Sequence, residues 1–306
     1  MRVLVTGGAG FIGSHVADAC LAAGHEVLVI DDLSSGKPEN VARGARLEAC
    51  DIRTPRAAAV VESFRPQALV HHAAQMSVTR SVAEPSFDAE VNVIGLINLV
   101  EAGRRAGLEK VVFASSGGTV YGEVEAYPIA ETAPTHPVCP YGVSKLSGEH
   151  YLFYYRRVFG LPYVALRYAN VYGPRQDPHG EAGVIAIFSK RLLAGEDVTI
   201  FGDGRQTRDY VFVGDVVRAN LAALAGEFCG GVNIGTGVET NVNDLYAIIK
   251  RHAGGPGKAV HAAPRDGELR RSVLSAALAE RVLGWKPRTT LTDGLAETVD
   301  FFRSRP

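Results

Sequence analysis

Along the first half of the chain, short aliphatic runs alternate with longer stretches in which apolar residues recur every three or four positions. The runs at 3–6, 26–30, 46–49, 68–72, 110–115 and 163–167 are too short for stable helices and predict strands. The stretches at 11–23, 55–64, 86–106 and 141–159 predict helices. Thr54 is placed to cap the helix that Pro55 opens, because proline in the first turn sacrifices no hydrogen bond. Gly24 suits the left-handed residue that ends the first helix. Strictly alternating strands and helices predict an α/β fold: a doubly wound parallel sheet with right-handed crossovers and helices on both faces.

Beyond about residue 170 the rhythm changes. The segment 173–183, rich in Gly, Pro, His and Asp, reads as a loop. A helix at 184–194, a strand at 197–201 and a polar turn at 202–207 follow, then helices at 213–225, 243–253, 275–283 and 292–303. The expected division is a first domain over 1–171, to which 211–236 returns, and a smaller mixed α/β domain over 172–306.

Composition narrows the class. The 306 residues are 46% hydrophobic and 21% charged, which excludes a disordered or low-complexity chain. The 32 basic and 33 acidic residues nearly cancel, so no global basic field would hold nucleic acid or an anionic membrane. No apolar run approaches bilayer-spanning length, and Met1-Arg2 leads straight into a strand-like run; the expected compartment is the cytoplasm. Cys20, Cys50, Cys139 and Cys229 are scattered without C-x-x-C spacing, which supports neither a disulfide framework nor a structural zinc. His71-His72 lack a third ligand at metal-binding spacing and read as packed or loop residues. Trp285 reads as a packing anchor after Gly284, and Arg270-Arg271 as a solvated pair.

Thr6-Gly7-Gly8-Ala9-Gly10-Phe11-Ile12-Gly13 follows the first strand and opens the first helix. Gly8, Gly10 and Gly13 fit G-x-G-x-x-G, and Gly7, Gly10 and Gly13 fit a longer variant. Glycine permits the tight turn and the close backbone approach to a pyrophosphate, and the helix N-terminus offers free N–H groups to that anion. Asp31 ends the second strand, where a carboxylate accepts from the adenosine ribose hydroxyls and repels a 2′-phosphate; Asp32 adds a second negative charge. The pattern predicts a Rossmann-type domain binding NAD rather than NADP. Asp51-Ile52 and Ala73-Ala74-Gln75 lie at further C-terminal strand ends, where an open α/β sheet seats its ligand; an ordinary loop role stands beside that reading.

Tyr141-Gly142-Val143-Ser144-Lys145 opens a helix, and its i, i+4 spacing puts Tyr141 and Lys145 on one face. A free phenol titrates near pH ~10, so it is a poor base until a neighbouring ammonium and the positive nicotinamide of NAD⁺ favour phenolate. The pair then provides a general base for a sugar or alcohol hydroxyl.

These motifs, with Val120-Tyr121-Gly122, the run from Leu166 to Pro174, Ile200-Phe201-Gly202-Asp203-Gly204, Arg208-Asp209-Tyr210, Asn233-Ile234-Gly235-Thr236-Gly237 and Arg265-Asp266-Gly267-Glu268, appear in order along the chain. In this the chain resembles, end to end, the extended short-chain dehydrogenase/reductase family, and within it the nucleotide-sugar 4-epimerases. The resemblance implies a UDP-sugar substrate of the galactose/glucose pair and a retained NAD. Tyr141 would take the 4-hydroxyl proton, and Lys145 would hold the nicotinamide ribose. Asn92, Ser115 and Tyr168 would join the cofactor site. Asn170, Val184, Phe201, Arg208, Tyr210, Arg265, Glu268 and Ser272 would form the substrate site. In it Arg208 and Arg265 would face the diphosphate, Phe201 the uracil and Glu268 the nucleotide ribose. Phe201 as core and Arg208 as a partner of Asp209 or Asp215 are the plainer readings. Ser272 is small, which implies room for an N-acetyl group at sugar C2. Helices 86–106 and 141–159 would form a homodimer contact.

One departure stands out. The family places Ser or Thr four residues before the tyrosine of Val120-Tyr121-Gly122, and this chain has Gly117. Ser116 and Thr119 flank the gap as candidate hydroxyls; direct or water-mediated contact of Tyr141 with the sugar is the alternative. The missing acid in this segment disfavours 4,6-dehydratases and decarboxylases. Another nucleotide-sugar epimerase or modifier, a net NAD-dependent oxidoreductase and a non-catalytic dinucleotide sensor are the competing readings; a sensor should have lost Tyr141 or Lys145.

Overall fold

The computed structural model describes residues 1–179, 183–264 and 269–305. The first half holds β1 (Arg2–Thr6), α1 (Phe11–Ala22), β2 (Glu26–Asp31), β3 (Arg46–Ala49), α2 (Pro55–Phe64), β4 (Ala68–His71), α3 (Val78–Ala83), α4 (Pro85–Ala89), α5 (Gly95–Arg105), β5 (Lys110–Ser116), α6 (Pro140–Phe159) and β6 (Tyr163–Tyr168). After it come β7 (Asn170–Tyr172), α7 (Val184–Leu193), β8 (Val198–Phe201), β9 (Thr207–Phe212), α8 (Val213–Ala225) and β10 (Gly230–Ile234). β11 (Glu239–Asn241), α9 (Val242–Ala253), β12 (Ala259–Ala262), β13 (Arg271–Ser272), α10 (Ala277–Leu283) and α11 (Leu291–Arg303) complete the order.

Seven strands pair in parallel in the order β3-β2-β1-β4-β5-β6-β10. Successive side chains point to opposite faces, and both faces are apolar. Val3, Val5, Val70 and Val112 pack with Val16 of α1 and Val216 of α8, while Leu4, Leu69, Val111 and Phe113 pack with Val61, Leu99 and Leu152 of the other layer. The chain leaves β3 at one edge and returns as β4 beside β1, which opens a crevice at their C-terminal ends. Local signals behave as expected: the Thr54 side chain accepts from Ala57 N–H, and Gly24 takes φ +78°. Trp285 is buried and its indole N–H donates to the Asp215 carbonyl at 2.8 Å.

One expectation is corrected, and one strand lies where none was expected. The stretch 86–106 is not one helix: α4 and α5 are joined by a π-helical turn over Glu90–Ile94. That turn contains Asn92, whose amide bonds Gln75, Asp88 and Ser144, and it ends at Gly95, where the Ile52 side chain packs. The region read as a polar turn leads directly into β9, the centre of a second sheet. β9 pairs antiparallel with β11 and parallel with β13 and β7. Its alternation is hidden because Arg208 and Asp209 are polar on both faces. β8 and β12 form a separate parallel pair. Among the described residues no helix is long and apolar enough to cross a membrane.

A buried ion pair ties the sheet to α6. Arg167 of β6 reaches Glu149 of α6 through two nitrogens, at 3.0 and 2.7 Å, with both side chains almost wholly covered. Removing one partner strands the other charge in a site of low polarity. Glu149→Ala should therefore lower unfolding stability by roughly 3–5 kcal/mol, read from chemical denaturation midpoints; an unchanged midpoint would show that Arg167 finds water or another partner.

Candidate active site

The loop between β1 and α1 is shaped by backbone crowding. Gly7 takes φ +66°, and a Cβ there would stand 2.7 Å from the Ala73 nitrogen. A Cβ on Gly13 would stand 2.2 Å from the Gly7 carbonyl oxygen, and one on Gly10 3.2 Å from the same atom. α1 begins at Phe11-Ile12 with no side chain capping it, so its first N–H groups face the crevice mouth unpaired by a cap. Asp31 is buried at the end of β2; Ala9 N–H donates to one carboxylate oxygen and Leu33 N–H to the other, each at 2.9 Å. Each oxygen keeps a lone pair for a ribose hydroxyl. Burial pushes the Asp31 carboxyl up and the two backbone donors pull against it. Donor set, glycine cradle and acid together fit a dinucleotide. Asn40, which carried no sequence signal, holds the loop by donating to the Ala9 carbonyl at 3.0 Å.

The other cofactor candidates divide. Asp32 is exposed and accepts from the backbone and hydroxyl of Ser34, so it braces its own turn. Asp51 is held below the usual carboxylate range by the Arg53 guanidinium, at 2.6 Å, and Ile52 is buried in the core. Ala73 and Ala74 follow β4 beside Gly7. Gln75 is clamped by Asn92, Ser77 and Asp88, and the Asn92 amide is committed to that clamp. The Ser115 hydroxyl donates to Glu149 at 2.5 Å. The Tyr168 hydroxyl accepts from Asn220 at 2.8 Å and lies 3.2 Å from Nε2 of His72. His71 and His72 are thus bonded within the wall of the crevice, His71 to the Thr6 hydroxyl at 2.7 Å.

α6 starts at Pro140, which puts Tyr141 in its first turn and Lys145 one turn on. Lys145 Nζ donates to the Ala114 carbonyl of β5 at 2.9 Å and stands 5.7 Å from the centre of the Tyr141 ring. Burial pulls the Lys145 ammonium down to about 8, against the Asp88 carboxylate. The Tyr141 phenol moves the other way, pushed well up by burial, then by Asp88 and Cys139. The downward pull expected of Lys145 on the phenol is not among the causes of this shift, which all raise it. Asp88 had no signal in the sequence because it sits inside a helical stretch; it is buried and its charge acts on both members of the pair.

On the loop after β5, the Ser116 carbonyl accepts from Val120 N–H at 3.1 Å, closing a turn. The Thr119 hydroxyl is buried with no hydrogen-bond partner among the described residues. Gly117 donates its N–H to the Tyr168 carbonyl at 2.8 Å.

The second sheet gathers the substrate candidates by register. Asn170 of β7 lies opposite Tyr210 of β9, and Arg208 of β9 lies opposite Ser272 of β13. Arg208 and Tyr210 are two apart and share a face, with Asp209 on the other. Asp209 accepts from Thr236, Gly237 and Leu274, and Asp215 from Arg218 and the Arg288 and Thr289 backbone. Val184 opens α7, and Phe201 closes β8 in the separate strand pair. Arg265 and Glu268 lie outside the described residues.

A lysine whose folded-state pKa lies below its unfolded value weakens the fold while the site must hold the charge. For Lys145 that penalty is full below pH 8 and is relieved as pH rises towards 10.5. In nucleotide-free protein, wild-type stability relative to Lys145→Met should therefore climb across that window in denaturation titrations. A flat difference would mean that the ammonium is hydrated.

The sequence profile of the NAD dependent epimerase/dehydratase family matches residues 3–235. A UDP-glucose 4-epimerase of Thermotoga maritima, solved with UDP-glucose, is 49% identical with a TM-score of 0.97, covering 99% of each chain. A Thermus thermophilus UDP-glucose 4-epimerase in complex with NAD is 47% identical with a TM-score of 0.95, covering 100% of each chain. A UDP-N-acetylglucosamine 4-epimerase of Methanobrevibacter ruminantium, in complex with UDP-N-acetylmuramic acid, is 34% identical with a TM-score of 0.94, covering 100% of this chain and 99% of that one.

Proposed function

The chain belongs to the NAD dependent epimerase/dehydratase family, and on that footing we propose that it is an NAD-dependent 4-epimerase interconverting UDP-galactose and UDP-glucose. The observation that carries the reading is the placement of Tyr141 and Lys145 on one turn of α6, with Lys145 locked to the β5 carbonyl at the sheet edge where the glycine loop opens. A non-catalytic sensor has no use for a partly buried phenol beside a buried ammonium, and taking each from water is costly.

NAD⁺ supplies a hydride acceptor at sugar C4, a donor for the return, and a positive charge that favours the phenolate. Gly7, Gly10, Gly13 and Asp31 hold the dinucleotide, and Asp31 selects it over its 2′-phosphorylated counterpart by charge. Lys145 orients the nicotinamide ribose and Tyr168 lines the same pocket. Tyr141 accepts the 4-hydroxyl proton as C4 is oxidised to the 4-keto sugar, and returns it after the sugar has presented its other face. Asn170, Val184, Phe201, Arg208, Tyr210 and Ser272 form the substrate site, with Arg208 on the diphosphate through charge-assisted hydrogen bonds. Residues 1–171 with 211–236 act as the NAD domain and 172–306 as the nucleotide-sugar domain. The outward face of α6 carries exposed Val143, Tyr151, Tyr154 and Val158, which suits a helix-on-helix homodimer. The four cysteines are free thiols, as a reducing compartment keeps them, and we assign the cytoplasm.

The purified protein should convert UDP-galactose to UDP-glucose with no added cofactor and release NAD(H) on denaturation. Tyr141→Phe should lower turnover roughly a hundredfold or more with UDP binding little changed. Net NADH release, or a requirement for NADP⁺, would refute the assignment.

The sugar pocket gives a finer expectation. Ser272 is buried beside Arg208, is small, and has a hydroxyl able to partner an amide. UDP-N-acetylhexosamines should also be turned over, and Ser272→Tyr should abolish that activity while sparing UDP-galactose, as compared by kcat/KM on both sugars. Equal losses on the two substrates would remove Ser272 from the C2 pocket.

A further inference from the structure

Resting on the epimerase reading above, we propose that Leu274 is a positioning residue that decides which hydroxyl serves the catalytic loop. Its side chain fills the space in front of Gly117, so no side chain fits there, and Thr119 supplies the hydroxyl that assists Tyr141.

The steric part is direct. A Cβ on residue 117 would stand 2.4 Å from Cδ1 of Leu274 and 3.1 Å from the Arg167 carbonyl oxygen. The second neighbour, backbone of β6, would have to give by a few tenths of an ångström, and the closer approach requires Leu274 to move. Leu274 is fully buried and packs with Val120, Tyr121 and Ile129. Its N–H donates to the Asp209 carboxylate at 3.2 Å, and its backbone bridges Ile129. Gly235 lies against it from the other side, where a Cβ would stand 3.1 Å from Leu274 Cβ and 2.4 Å from the Asp209 carboxylate. Backbone and side chain are both packed, so moving Leu274 disturbs that cluster.

The chemical part follows from what remains on the loop. Of the two hydroxyls flanking Gly117, that of Thr119 is sealed from solvent and has no partner among the described residues. A buried hydroxyl left unpaired destabilises the fold, so it readily takes any partner brought within its reach. The Thr119 carbonyl stands 2.8 Å from where a Cβ on Gly142 would lie, so this loop rests on the first turn of α6, next to Tyr141. Leu274 follows Ser272 by two residues, just beyond the end of β13, so one short segment carries both the residue proposed for the sugar pocket and the residue that packs on Gly117.

The test is a set of kcat and KM measurements on UDP-galactose, with bound NAD and UDP affinity measured for each variant. Thr119→Val should lower kcat about tenfold or more with KM nearly unchanged, the pattern of a lost proton-relay contact. Gly117→Ser alone should lower kcat about tenfold or more through the clash, whereas Gly117→Ser with Leu274→Ala should recover to within about threefold of wild type. In that double background Thr119→Val should cost less than about twofold, because the hydroxyl introduced by Gly117→Ser has taken over; a purely structural role for Leu274 would not shift the Thr119 dependence. If the pair with Leu274→Ala fails to fold or to retain NAD, Leu274→Val provides the milder relief. Wild-type kcat in Gly117→Ser or in Thr119→Val overturns the proposal, as does an undiminished Thr119 dependence in the double variant. A wild-type protein inactive on UDP-galactose would instead refute the epimerase reading.

Discussion

The bidentate pairing of Arg167 with Glu149 is the contact on which the site's geometry depends. Tyr141, Lys145 and Glu149 follow one another at four-residue spacing, so the face of α6 that carries the reactive pair also carries the anchor. Glu149 takes the Ser115 hydroxyl from β5 as well as the guanidinium from β6. Arg167 passes a third nitrogen to the Tyr121 hydroxyl at 2.8 Å, and Tyr121 donates to Asn233 of β10 at 2.7 Å. One buried network thus sets the height of α6 over the sheet and the course of the loop after β5. Its cost in desolvation is offset only because each charge has several partners.

Electrostatics in the crevice leave the reactive pair short of its working state. Burial lowers Lys145 and raises Tyr141, and the Asp88 carboxylate opposes the first shift and adds to the second. The protein therefore favours a neutral phenol until a positive charge enters the same pocket. Under the proposed function, this makes a Tyr141 base dependent on the oxidised cofactor, the correct dependence for a reaction that must not begin without a hydride acceptor. At the end of β2, two backbone donors keep the buried Asp31 carboxylate available, as its proposed place at the far end of the dinucleotide requires.

The second sheet solves a different problem. Residues widely separated in sequence are proposed to meet one extended ligand, and β9 brings them together by pairing with three strands at once. Its alternate side chains divide the work. Arg208 and Tyr210 face one way, and Asp209 faces the other and gathers the backbone of Thr236, Gly237 and Leu274.

The local sequence was sufficient wherever a short segment settles its own conformation. The glycine loop, Asp31, the Thr54 cap, the alternating units and the Tyr141–Lys145 spacing are all readable because turn chemistry and periodicity act within about one helical turn. Resemblance placed Arg208 and Ser272 in the substrate site, but not beside one another. Tertiary structure alone decided what depends on distant partners. Asn92 bends a helix into a π turn to reach Gln75 and Ser144, and Asp88 becomes a charge beside the reactive pair only when α4 packs against α6. β9 forms despite its polar residues because β7, β11 and β13 supply its ladder. Gly117 looks like a missing residue in the sequence; in the folded chain it is the space that Leu274, more than 150 residues away, already occupies.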